Sequence, residues 1–154
     1  MHLAELNIAK LRYGKGDPRA AEFFDNLDRI NGLGERMPGF IWRLKDDEGN
    51  ATGFEVNEDP MVIANLTVWE GVEALEKFVW QTVHNTGFYR KRREWFEKMD
   101  KPHFVMWWVE EGHLPDLKEA LGRLAHLTEH GPSNLAFGWA QTPGAQLWRN
   151  ARCG

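Results

Sequence analysis

Polar and apolar residues alternate through Leu3–Ala9, with Leu6 and Ile8 on one side and Glu5 and Asn7 on the other. That period of two is the signature of a strand whose side chains point to opposite faces in turn. Gly14, Gly16 and Pro18 break the pattern, and Asp17 is placed to cap a helix with Pro18 at its first position. From Arg19 to Arg36 the apolar residues Ala20, Phe23, Phe24, Leu27, Ile30 and Leu33 recur at helical spacing, with Gly32 and Gly34 at a fraying end and a turn at Pro38-Gly39. Phe40–Leu44 alternates again. The polar run from Asp46-Asp47-Glu48-Gly49-Asn50 to Asp59 reads as a long hairpin loop, with its own turn at Gly53-Phe54.

A third strand, Met61–Trp69, turns at Glu70-Gly71 into an amphipathic helix whose stripe is Val72, Leu75, Val79 and Val83 and which Gly87 interrupts just beyond His84. A basic helical stretch, Phe88–Met99, ends before Pro102 and precedes a fourth strand, His103–Val109. A last helix begins at Pro115-Asp116, carries Leu117, Leu121, Leu124 and Thr128 on one stripe, and stops at Gly131-Pro132. Phe137–Trp139 predicts a short fifth strand.

The order strand, helix, strand, strand, helix, strand, helix predicts an α+β fold. It is the ferredoxin-like split βαβ arrangement: an antiparallel sheet, helices on one face, and the first and third strands as central neighbours. Residues 1–139 form one domain and residues 140–154 a C-terminal tail or arm. Strand parity then divides the sheet. Leu6, Ile8, Phe40, Trp42, Leu44, Val62, Ala64, Leu66, Val68, Phe104, Met106 and Trp108 form a uniformly apolar set, expected under the helices. Glu5, Asn7, Ile41, Arg43, Ile63, Asn65, Thr67, Trp69, His103, Val105 and Trp107 form a mixed set. A solvated face would not carry so many large apolar groups, so a second subunit is expected to cover it, giving a homodimer of stacked sheets.

Composition narrows the classes. The 154 residues are enough for a substantial core without staples, and a net charge of -4 lacks the basic footprint of a nucleic-acid binder. No apolar run approaches the roughly 20 residues of a membrane span, no signal peptide is visible at the N-terminus, and the single cysteine, Cys153, fits a cytoplasmic protein. Without a secretion signal, the glycosylation-like triplets at Asn50 and Asn65 read as chance. Eight tryptophans and nine phenylalanines against two tyrosines suit either a bulky core with an interface or an aromatic-walled cavity for a planar ligand.

Val68-Trp69-Glu70, Glu73-Ala74-Leu75, Phe78-Val79 and His84 resemble the dimeric α+β-barrel superfamily that includes the antibiotic-biosynthesis monooxygenases. The chain is similar over nearly its whole length to an uncharacterised branch, the domain-of-unknown-function family 3291. That similarity runs through Leu6-Asn7-Ile8-Ala9, Pro38–Leu44, Arg92–Phe96, His103–Val109 and Gly131-Pro132-Ser133. The resemblance implies the ferredoxin-like fold and the stacked-sheet dimer. It also implies an activity class, cofactor-independent oxygenation of polycyclic aromatic metabolites, in which an aromatic pocket orients the substrate and polar groups stabilise its anion before it meets oxygen.

On that pattern Trp42, Trp69, Trp80 and Trp108 are candidate walls, Asn65 or Arg43 an oxyanion partner, and His84 the base. Trp80, His84 and Phe88 are spaced by four and share a helix face if Gly87 preserves the register. His84 also reads as a hydrogen-bonded histidine at a helix end, and the protein alternatively as a non-catalytic holder of the same ligand. Haem degradation is the third alternative. The resemblance would give Asn7 and His84 to it, but Phe78 stands where that pattern has a tryptophan, and Asn7 falls on the parity set assigned away from the helices. Otherwise no cofactor is expected. His126 and His130, four apart, have no third ligand near them in the sequence for zinc. The Arg90-Lys91-Arg92-Arg93 run, offset by Glu94 and Glu97, reads as a solvated face.

Overall fold

The alternating N-terminal segment forms the longest strand, β1 (His2–Leu11), and the sheet is built outward from it. The computed structural model of the protein describes residues 1–45, 59–83 and 91–142. Beside β1 lies β3 (Val62–Trp69), and beside β3 lies β2 (Phe40–Arg43). The other edge of β1 pairs with β5 (Phe104–Val109) over His2–Asn7 and with the short β4 (Phe96–Glu97) over Lys10–Leu11. All these pairings are antiparallel, and the split βαβ order predicted from the pattern is the order observed.

Local chemistry sets the helices. Asp17 accepts from the Arg19 backbone N–H and starts a 3₁₀ turn, Pro18–Ala20, that feeds α1 (Ala21–Glu35). Gly34 does not fray α1: a Cβ there would sit 3.0 Å from the Phe78 ring, so glycine lets the next helix approach closely. That helix, α2 (Val72–Glu76), continues as a π-helix over Lys77–Val83, a rare form that recurs at functional sites. The basic stretch is not the long helix its periodicity predicts. Its described part is one turn, α3 (Arg92–Trp95), followed by β4. Trp95, the last residue of α3, and Phe96, the first of β4, pack around Phe23, with Leu11 buried beside them. The final helix, α4 (Leu117–His130), is capped by Asp116 and ends at Gly131, whose φ is 76°. In place of a fifth strand at Phe137–Trp139, Phe137 makes a single bridge to Met106 and Trp139–Gln141 forms a 3₁₀ turn.

Directly opposed residues of an antiparallel pair share a face, and this reverses much of the expected layering. Leu3, Glu5 and Asn7 stand opposite Trp69, Thr67 and Asn65 on β3, and opposite Trp108, Met106 and Phe104 on β5. Over this mixed face lie α1 and α2: Ile30, Leu33, Leu75 and Phe78 pack with Leu3, Trp69 and Met106. The apolar set of β1 and β3, including Leu6, Ala64, Leu66 and Val68, lies on the other face under Ala120 and Leu124 of α4. β2 changes sides midway, because a bulge between Phe40 and Trp42 puts Phe40 with the first cluster and Trp42 with the second. The split βαβ helices thus share one face, but it is the mixed one, and α4 is added to the other. Large apolar groups on the mixed face are explained by the chain's own helices, which removes the parity argument for a covering subunit.

Among the described residues no helix is long and apolar enough to cross a membrane. The turns expected at Asp46–Asn50 and Gly53-Phe54, the break at Gly87 and the arm from Pro143 lie outside the described residues.

Candidate functional site

Register arranges the helix-covered face in rows running across the strands. One row is Phe40, Trp69, Leu3, Trp108; the next is Arg43, Thr67, Glu5, Met106; the third is Asn65, Asn7, Phe104. The first is almost wholly apolar. The second puts a carboxylic acid in mid-sheet, 3% exposed.

Glu5 is held on both oxygens. The Thr67 hydroxyl donates to its Oε2 at 2.6 Å, and the Asn7 amide donates to its Oε1 at 3.0 Å. Trp69 Nε1 donates to Thr67 Oγ1 at 2.8 Å, so a polar chain runs Trp69, Thr67, Glu5, Asn7 beneath the helices. Trp69 is itself immobilised: its ring stacks on Phe78 at 5.3 Å between centroids and meets Phe40 edge-on at 5.3 Å. Burial disfavours the carboxylate and pushes Glu5 up to about 7, even though the Thr67 and Asn7 hydrogen bonds pull the other way. A cation does stand in the same row. Arg43, however, is drawn off to Glu35 at the end of α1, with Nε 2.6 Å from its carboxylate, and Lys45 shares that carboxylate at 3.0 Å. Glu5 therefore keeps the proton affinity of a general acid or base working near neutral pH.

The chain opens toward the third row. Asn7, Asn65 and Phe104 are half-buried, whereas Leu3 and Glu5 are buried. Trp139 stacks on Phe104 at 5.7 Å and meets Trp80, on the π-helical part of α2, edge-on at 5.9 Å. Phe104, Trp139 and Trp80 thus form an aromatic cluster on the helix-covered face, beside the row of Asn65 and Asn7 and one row from Glu5 and Thr67.

Of the residues singled out in the sequence, Arg43, Asn65, Trp69 and Trp80 lie on this side of the sheet, although Trp69 and Asn65 had been given to a dimer face. Trp42 does not join them: the β2 bulge carries it to the far face, opposite Val68. Trp108 belongs to the first row but stands at its edge, 40% exposed and 6.1 Å from Phe137. His84 and Phe88 lie outside the described residues. Asn7 faces the helices, so parity does not separate it from a helix residue. Glu5, Thr67, Phe104 and Trp139 were not picked out as site residues. Glu5 had a signal: an acid inside Leu3-Ala4-Glu5-Leu6, on the parity set of Thr67 and Trp69.

Comparison with known proteins gives a family and a set of structural likenesses. The model of the domain of unknown function DUF3291 matches residues 2–153. Among curated proteins none matches. The structure is similar to PA3566 from Pseudomonas aeruginosa, at 14% identity and TM-score 0.48, covering 71% of this chain and 94% of that one. It is also similar to SnoaB, a cofactor-independent oxygenase from Streptomyces nogalater, at 15% identity and TM-score 0.47, covering 75% and 98%.

Proposed function

The chain belongs to the DUF3291 family, and on that premise we propose that it is a small enzyme acting on a hydrophobic aromatic metabolite in the manner of a cofactor-independent monooxygenase. The observation that carries this reading is the Glu5 carboxyl, buried between sheet and helices, hydrogen-bonded on both oxygens and one row from the aromatic cluster of Phe104, Trp139 and Trp80; we place the ligand in a slot between that cluster and the sheet. A flat ring system enters between Trp80 and the asparagines. Glu5, with its pKa raised to about 7 by burial, takes a proton from an activated C–H or O–H of the ligand. The Asn7 and Asn65 amides face the slot as donors for the resulting oxyanion. An anion so formed is electron-rich enough to react with oxygen: for a ring CH₂, one oxygen atom ends in C=O and the other in water. This route uses side chains alone. A hemin titration with a shifted Soret band would replace it with a haem protein.

Turnover and holding separate in one experiment. Planar phenols and ring ketones are screened by tryptophan fluorescence, and binders are followed for oxygen uptake. Glu5→Gln is expected to bind with an unchanged Kd and to lose about 10²-fold or more in rate, the usual contribution of a general base. Uptake at the wild-type rate would remove Glu5 from the chemistry; binding without uptake in the wild type would make the protein a ligand holder. The proposal keeps a cytoplasmic homodimer, supported by the superfamily resemblance.

A further inference from the structure

The two faces of the sheet are covered in different ways. On the Glu5 side, α1 is tied to β2 by charge, because Glu35 holds both Arg43 and Lys45. On the other side α4 lies over Ala4, Leu6, Val105 and Trp107, all fully buried. Among the described residues, every side-chain hydrogen bond and ion pair of residues 110–136 ends inside that same stretch, as His113 does on Glu119 and Arg123 on the Leu135 carbonyl. Apolar packing alone therefore holds α4 to the sheet, and of its own residues only Ala120 and Leu124 are buried.

The attachments of this stretch lie close together. The chain leaves β5 after Val109 and rejoins it at Phe137, which bridges Met106 on the same strand. The two points are about 10 Å apart at about 3.4 Å per strand residue. The turn at each end contains a glycine in the left-handed region with open space about it: Gly112 at φ 88° and Gly131 at φ 76°. Glycine absorbs backbone rotation at such positions more readily than any other residue. Beneath α4 one polar group is unmet: the Trp107 Nε1–H is buried and has no acceptor. A buried donor without a partner opposes the closed arrangement, and the penalty is lifted when water reaches it.

We propose that residues 110–136 form a flap that opens as one unit about the outer edge of β5, while β1, β3 and the helices over Glu5 stay folded. Open, it bares an apolar strip of sheet whose single side-chain donor is the Trp107 N–H. Closed, it seals that face without touching the Glu5 site. The movement is therefore independent of the chemistry proposed above.

Native-state hydrogen exchange on the full chain, resolved by NMR and repeated at urea concentrations below the unfolding transition, tests this. The α4 amides are expected to exchange together, with a shallower dependence on urea than the amides shared between β1 and β3, and at least a hundredfold faster. Phe78→Leu loosens the packing on the opposite face; it is expected to speed exchange between β1 and β3 about tenfold or more and to leave α4 within about twofold. Leu124→Ala is expected to speed α4 by about thirtyfold or more. Protection of α4 equal to that of β1 and β3 in the wild type overturns the flap, as does acceleration of α4 by Phe78→Leu in the same proportion as the sheet, because α4 then opens only with the whole fold. The first comparison is made on the wild-type protein, so a poorly folding variant does not decide the outcome.

Discussion

Replacing Glu5 by glutamine tests whether a mid-sheet acid is held against its own ionisation. Burial raises its pKa from 4.5 to about 7, so the native state binds this proton more tightly than the unfolded chain. Below about pH 4.5 both states are protonated and the group is neutral in the balance. Between there and about pH 7 the unfolded chain ionises while the native state keeps its proton, so stability is lost as pH rises. Above pH 7 the loss is complete, about 3 kcal/mol at about 1.4 kcal/mol per pKa unit. Glutamine resembles the protonated acid. Its oxygen can accept from Asn7, and its amide can donate to Thr67 Oγ1, reversing a bond that now runs from hydroxyl to carboxylate.

Urea unfolding of both proteins, read by tryptophan fluorescence between pH 5 and pH 9, gives the difference directly. At pH 5 the two should agree within about 1 kcal/mol, the net worth of one altered hydrogen bond. By pH 8.5 the Glu5→Gln protein should be the more stable by about 2 to 3 kcal/mol. Asp17, Glu35 and Asp59, whose pKa values are lowered by their hydrogen-bond partners, titrate alike in both proteins and cancel. A difference that is flat across this range, or that grows toward acid, refutes the buried-acid reasoning.

Other perturbations read neighbouring parts of the same architecture. Thr67→Val deprives both Trp69 Nε1 and Glu5 Oε2 of their partner; it should cost about 2 to 4 kcal/mol in urea unfolding and push the Glu5 pKa further up, as followed by carboxyl carbon NMR. Gly39→Ala meets two obstacles, a φ of 87° and a new Cβ 2.5 Å from that of Ala74, so a loss of about 2 kcal/mol or more is expected by thermal melting. A melt within error of wild type would show that β2 and α2 do not approach as described. Phe78→Ala removes the ring stacked on Trp69 and packed against Gly34 and should cost about 3 to 5 kcal/mol, with a red-shifted tryptophan emission as Trp69 loses its cover. Sedimentation velocity is expected to give a species of twice the 17.8 kDa chain mass; a clean monomer would end the dimer proposal.

Periodicity alone was enough for the order of elements, the cap at Asp17 and the helix start at Pro115-Asp116, because each depends on residues near one another in the chain; the central pairing of β1 with β3 followed from the split βαβ order those elements imply. The basic stretch departs from its periodicity for a complementary reason: Phe96 leaves helical geometry to pair with Leu11 and pack on Phe23, some seventy residues or more earlier in the chain. The same limit governed the site. Alternation states that Glu5, Thr67 and Trp69 share a side of their strands, and the sequence contains the whole polar chain in that form. It cannot say which side the helices cover. An apolar set is the natural choice for a core, but this sheet buries both faces, and register and the β2 bulge decide what lies under α1 and α2. Putting the mixed face there turned Glu5 from an apparent surface acid into a buried one, brought Asn65 and Asn7 together as opposed residues, and sent Trp42 away. Residue type supplied the chemistry; only the three-dimensional pairing of strands and helices, which acts across the full length of the chain, decided which of it is withheld from water.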